Sequence, residues 1–178
     1  MTIKERYQKE IAPALAKDFG IKSPLAVPKV TSVTLSIGAS HGLKDPKFLD
    51  IAESTLQRIT GQKPVRTKAK KSIASFKIRE GMVVGLRVTL RGPRMWHFLE
   101  KFLKVTFPRI RDFRGISPKL IDGRGNVSIG FREFLAFPEI RPDEVERVHG
   151  LQVTVSTTAK TPEKGRALLT ALGFPFKD

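Results

Sequence analysis

The chain contains no cysteine, which excludes disulfides, thiolate metal sites and cysteine nucleophiles. No apolar run approaches the roughly 20 residues of a membrane-spanning helix. The opening Met1–Tyr7 has neither the apolar core nor the small-residue cleavage site of a secretory leader. The expectation is a cytoplasmic protein with no membrane partner. Histidine is scarce: His41, His97 and His149 lie far apart, and none has a metal-ligand neighbour at useful spacing. Gly-x-Ser-x-Gly, His-Glu-x-x-His and paired-carboxylate segments are missing as well. The residues therefore argue against an enzyme, and no cofactor or metal is expected.

Positive charge is in excess. The 178 residues hold 33 Lys and Arg against 17 Asp and Glu, a net of +16 with an isoelectric point near 10.5. The surplus is local: residues 1–60 carry +3, residues 61–132 carry +14, and residues 133–178 carry −1. Charge crowded into one segment repels itself unless a polyanion neutralises it, and nucleic acid is the natural candidate. A basic surface serving solubility alone would not need such clustering. With 40% hydrophobic and 28% charged residues, the composition is that of a folded chain. The length fits one domain spanning 1–178.

Hydrophobic periodicity predicts the order helix, strand, helix, strand, strand, helix, strand, strand, helix. Ile3, Tyr7, Ile11 and Leu15 recur at helical spacing up to Gly20, with Pro13 expected to kink or interrupt the run. Val33, Leu35 and Ile37 alternate with Ser32, Thr34 and Ser36. Asp45 and Pro46 open a helix lined by Phe48, Ile51, Ala52, Leu56 and Ile59 and closed by Gly61. Pro64–Lys68 is short and extended. Val84, Leu86, Val88 and Leu90 alternate with Gly85, Arg87, Thr89 and Arg91. Met95, Phe98, Leu99 and Phe102 mark a helix running to Pro108. A turn at Asp122-Gly123 precedes the alternation of Val127, Ile129 and Phe131, and a short helix is possible near Asp143–Val148. Leu151, Val153 and Val155 form the last strand, and Thr161-Pro162 opens a helix ending at Gly173. This order predicts an α+β fold, a largely antiparallel β-sheet with helices packed on one face. Its other face, bearing Ser32, Thr34, Ser36, Arg87, Thr89 and Arg91, would be an open basic RNA-binding face.

Two constellations carry candidate chemistry. Between Gly61 and Gly81, seven of 21 residues are Lys or Arg, and Glu80 is the only acid. Lys63, Arg66, Lys68, Lys70, Lys71, Lys77 and Arg79 supply the cations, and Ser72 and Ser75 add donors for phosphate or a ribose 2′-OH. Phe76 beside Lys77 suits stacking on an unpaired base, while a lone Phe equally suits core packing. The second constellation is Pro108–Gly115, where Arg109, Arg111 and Arg114 favour bidentate phosphate or guanine contacts and Asp112 suits an internal ion pair. Asp122–Asn126 lacks the Gly-Lys-Ser/Thr ending of a phosphate loop and reads as a hairpin turn. Competing classes are a DNA-binding protein, which needs a basic recognition helix, and an RNA-modifying enzyme, which needs a cofactor or an acid–base pair.

Several strings have a known family's wording: Ile59-Thr-Gly-Gln-Lys-Pro-Val65, Ala69-Lys-Lys-Ser-Ile-Ala74, Phe76-Lys-Ile-Arg-Glu-Gly-Met82 and Val88-Thr-Leu-Arg-Gly92. Pro108–Gly115, Asp122–Asn126, Phe137-Pro-Glu-Ile140 and Gly173-Phe-Pro-Phe176 continue the likeness. In these strings the chain resembles bacterial large-subunit ribosomal protein five, the 5S rRNA-binding member of the central protuberance. The resemblance implies an antiparallel sheet backed by helices, in a monomer off the ribosome. It implies 5S rRNA contacts at Gln62, Phe76 and Thr89, and at Ser36, where the family has an asparagine with longer reach. By extension Lys63, Arg66, Lys68, Lys70, Lys71, Arg87 and Arg91 join that interface. The resemblance further places Ser72, Ser75, Lys77 and Arg79 in a loop facing P-site tRNA. It gives 23S rRNA and small-subunit protein thirteen as further partners, with Arg109, Arg111 and Arg114 as candidate contacts.

Overall fold

A computed structural model describes residues 1–38, 46–111, 113–141 and 148–177. The expected cap at Asp45 and ion pair at Asp112 lie outside these residues, as does nearly all of the helix expected near Asp143–Val148. The nine expected elements are present in the expected order. They are α1 (3–18), β1 (Val30–Gly38), α2 (Pro46–Thr60), β2 (Val65–Lys68), β3 (Val83–Leu90), α3 (92–109), β4 (Val127–Phe131), β5 (Leu151–Thr157) and α4 (Pro162–Leu172). The strands form one sheet in the order β2-β3-β1-β5-β4. The fold is α+β and the sheet antiparallel. β2 pairs antiparallel with β3. Lys29 and Thr31 meet Thr158 and Ser156 in opposite chain directions.

The chain divides into two compact units. The first comprises Met1–Val33, Leu90–Ile129 and Thr154–Asp178. Its helices α1 and α3 both pass a proline without stopping, and both do so by the same device. A π turn at Tyr7–Ile11 precedes Pro13, with Ala12 N–H donating to Tyr7 O, and a π turn at Phe102–Thr106 precedes Pro108, with Phe107 N–H donating to Phe102 O. In a regular α-helix the proline ring would strike the carbonyl four residues back, and the wider turn relieves this. The expected kink or interruption at Pro13 takes the form of a π turn within a helix that continues to Asp18, and α3, expected to run to Pro108, ends one residue later at Arg109. The second π turn also brings Phe107 against Phe102 at 4.5 Å, inside a cluster that includes Phe98 and Phe174. The single tyrosine and single tryptophan, Tyr7 and Trp96, pack at 5.6 Å, and the Tyr7 hydroxyl donates to Pro28 O.

The Asp122–Asn126 segment is a hairpin turn, bridged by Ile121 and Val127. Asp122 Oδ1 accepts from the backbone N–H of Arg124 and Asn126, and Oδ2 accepts from Asn126 Nδ2. Partial burial opposes ionisation of Asp122, but these donors together outweigh it and hold the carboxyl below its ordinary pKa. Gly125 of this turn serves packing. A Cβ on Gly125 (φ 81°) would lie 2.7 Å from Ala159 Cβ and from Thr161 O, and one on Gly165 of α4 would collide with the Gly125 backbone.

The second unit comprises Thr34–Thr89 and Gly130–Val153. Its core contains Leu35, Ile37, Phe48, Leu49, Ala52, Leu56, Ile59, Leu86, Val88, Phe137 and Val153. His149 is buried here, edge-on to Phe48 at 5.7 Å and 4.3 Å from Phe134. Its Nδ1–H donates to Gly150 O at 3.3 Å, and Nε2 has no partner among the described residues. Desolvation pushes the imidazole pKa below its ordinary 6.5, against a smaller upward effect of the Gly150 bond.

Both the glycine contact and the buried imidazole have measurable consequences. Gly165→Ala forces two backbones apart and is expected to lower stability by about 1–3 kcal/mol, read from a urea unfolding midpoint. For His149, the unfolded chain takes up its proton first as pH falls below 6.5, so stability decreases from there downward. The melting temperature of the wild-type chain should therefore fall more than that of His149→Gln between about pH 7.5 and about pH 5.5. Parallel pH dependences would contradict a buried neutral imidazole.

Candidate nucleic-acid interface

The expected 5S-facing residues lie in the second unit, with the exception of Arg91, an exposed residue at the N-terminus of α3 in the first. Helix α2 ends at Thr60, whose hydroxyl donates to Leu56 O at 2.6 Å. Gly61 takes the left-handed conformation (φ 68°) and its N–H donates to Gln57 O. This places Gln62 on a four-residue link, Gly61 to Pro64, between α2 and β2. The Gln62 amide oxygen is shut off from solvent and has no hydrogen-bond partner among the described residues.

Register then decides which way each side chain points. Val65 pairs with Arg87, Arg66 with Leu86 and Thr67 with Gly85. Residues directly opposite in an antiparallel pair share a face. Leu86, Val88 and Leu90 are buried, so Arg87 and Thr89 point the other way, together with Val65 and Thr67. The Thr34 and Thr89 hydroxyls lie 3.5 Å apart on that face, and half-buried Ser36 continues it along β1. In this unit the face is thus mostly hydroxyl, with Arg87 exposed and Lys63 and Lys68 exposed at either end of β2. Gly85 is required within it, since a Cβ there would come within 2.9 Å of Ile37 O.

Beyond β2 the chain continues as an arm, 69–82, closed by Ala69–Met82 and Ile73–Ile78 backbone hydrogen bonds. Ser72 Oγ accepts from Glu80 N–H at 2.9 Å. Lys77 closes the tip in the left-handed conformation (φ 54°). Lys68, Lys70, Lys71, Ser75, Lys77 and Arg79 are all exposed, and so is Phe76, at 67%. Core packing of Phe76 is thus ruled out. Arg66 departs from its neighbours: paired opposite buried Leu86, it leaves β2 on the α2 side and bonds Glu53 and Asp50. Thr67 was not singled out from the sequence, because only cross-strand register places it beside Thr89 and Arg87.

In the first unit Arg109, Arg111 and Arg114 are exposed and form no ion pair among the described residues. Gly115 (φ 91°) follows them where Ile116 pairs with the C-terminal Pro175–Lys177 segment. His97 is exposed, and His41 lies outside the described residues.

The structure is thus that of an α+β protein that joins a hydroxyl-lined sheet face to a basic arm. Residues 23–79 match ribosomal protein L5, and residues 83–176 match the C-terminus of the same ribosomal family. The chain is 50% identical over 174 residues to large ribosomal subunit protein uL5 of Carboxydothermus hydrogenoformans, covering 98% of this chain and 97% of the relative. It is 52% identical over 176 residues to the proteins of that name from Acidovorax sp. strain JS42 and Herpetosiphon aurantiacus, covering 99% of this chain and 98% of each. The chain belongs to the ribosomal protein L5 family, whose members are structural proteins and not enzymes.

Because Phe76 stands clear of the core, Phe76→Ala is expected to change stability by less than about 0.5 kcal/mol in urea unfolding. A loss of about 3 kcal/mol or more would mean that the ring is buried after all.

Proposed function

We propose that this chain, a structural constituent of the large ribosomal subunit in the cytoplasm, holds 5S rRNA through the outward face of its second unit. The observation that carries this reading is the pairing of two surfaces. One is a mostly hydroxyl face of Ser36, Thr67 and Thr89 that also carries Arg87, with Gln62 on the adjoining link. The other is an arm whose cations have no ion partners among the described residues. Hydroxyls and amides suit riboses and base edges and fix register, whereas exposed lysines neutralise phosphates and supply affinity. Phe76 presents a free ring to a base or sugar. Ser36 reaches less far than an asparagine would, so its contact is shorter, bridged by water or absent.

The tip bearing Ser72, Ser75, Lys77 and Arg79 is proposed to contact P-site tRNA. Arg109, Arg111 and Arg114 are proposed contacts for 23S rRNA or small-subunit protein thirteen. Duplex DNA readout is disfavoured because the cations sit on strands, an arm and a loop instead of along one recognition helix.

Titration of the chain against 5S rRNA and an unrelated hairpin of equal length, across salt concentrations, tests the reading. Affinity should fall steeply with salt for both RNAs, with 5S rRNA bound at least about 10-fold more tightly. Gln62→Ala should weaken 5S binding about 5- to 10-fold, the loss expected of a hydrogen bond, and leave hairpin binding unchanged. Equal affinity for the two RNAs would refute specific recognition.

A further inference from the structure

Of the cations between Gly61 and Arg91, only Arg66 forms ion pairs among the described residues. Its Nε donates to Glu53 Oε2 at 2.8 Å, and one terminal nitrogen lies 2.6 Å from Glu53 Oε2 and 2.7 Å from Asp50 Oδ1. Asp50 and Glu53 are three positions apart on α2 and so share one helix face. The Glu53 side chain is only 16% exposed and that of Arg66 44%. The edge of the guanidinium formed by Nε and one terminal nitrogen is thus occupied by two carboxylates.

The location of this clamp gives it a different consequence. It ties Asp50 and Glu53 of α2 to the second residue of β2, four residues beyond Gln62 on the short link that leaves the C-terminal end of α2. Any slip of the edge strand β2 along α2 would therefore be transmitted to Gln62 within a few residues. Arg66 and Asp50 remain open to solvent, which limits what the clamp contributes to global stability, so its use lies in fixing geometry. We propose that Arg66 is a positioning residue: by clamping β2 to Asp50 and Glu53 it holds the Gln62 carboxamide in register for RNA, and it makes no phosphate contact itself. This rests on the RNA-binding reading above.

The test is fluorescence anisotropy of labelled 5S rRNA and of the unrelated hairpin, with the melting temperature of every variant as a folding check. Arg66→Ala should weaken 5S binding about 3- to 10-fold while keeping the wild-type slope of log affinity against log salt. Lys68→Ala, which removes a phosphate contact, should lower that slope by about 0.7–0.9. Combined with Gln62→Ala, Arg66→Ala should add no further loss. The exchange Arg66→Glu with Glu53→Arg should restore binding. A second variant, Asp50→Asn with Glu53→Gln, keeps Arg66 and makes the chain more basic. It should nonetheless lose preference for 5S rRNA over the hairpin. A slope reduced by Arg66→Ala as much as by Lys68→Ala, additivity with Gln62→Ala, or a raised preference in the carboxylate variant would each overturn the inference while leaving RNA recognition standing. A wild-type chain without preference for 5S rRNA would overturn both.

Discussion

The antiparallel register of β2 with β3 is the constraint on which the rest of the second unit depends. Side chains alternate across a strand, so fixing one pair fixes the others from Val65 to Thr67, up to the register shift between Thr67 and Lys68. With Leu86 buried, Arg66 must leave on the α2 side, and Val65, Thr67, Arg87 and Thr89 must leave on the other. A slip of β2 by one residue would turn Arg66 away from α2 and bring Val65 and Thr67 to the side of Leu86. The burial of Leu86 and Val88 therefore sets the chemistry of the opposite face as much as it stabilises the core.

That constraint separates two kinds of work that charge alone would merge. Lys68 at the end of β2 and Lys70, Lys71, Lys77 and Arg79 on the arm are exposed and unpaired among the described residues, where Coulomb attraction acts without precise geometry. Ser36, Thr67, Thr89 and Gln62 sit on the face or its adjoining link, held by regular backbone, where short side chains reach only a partner that fits. Arg66 belongs to neither group, its guanidinium being matched by two carboxylates. Proline is accommodated differently in the first unit. Two π turns, each ending two residues before a proline, let α1 and α3 continue and turn Phe107 onto Phe102.

The sequence by itself determined the order of the nine elements, the α+β class, the segment carrying the charge and the family. Each of these is written locally: strands in the alternation of Val33, Leu35 and Ile37, helices in the spacing of Phe48, Ala52 and Leu56, the family in contiguous strings such as Gly61–Val65. Local signals survive without knowing which strand lies beside which. Tertiary structure alone decided that Phe76 is exposed, that Arg66 faces α2, that Thr67 joins Thr89, and that Gly125 is needed because Gly165 lies against it. Each of these depends on a neighbour distant in sequence, and a residue's own type and spacing do not name that neighbour.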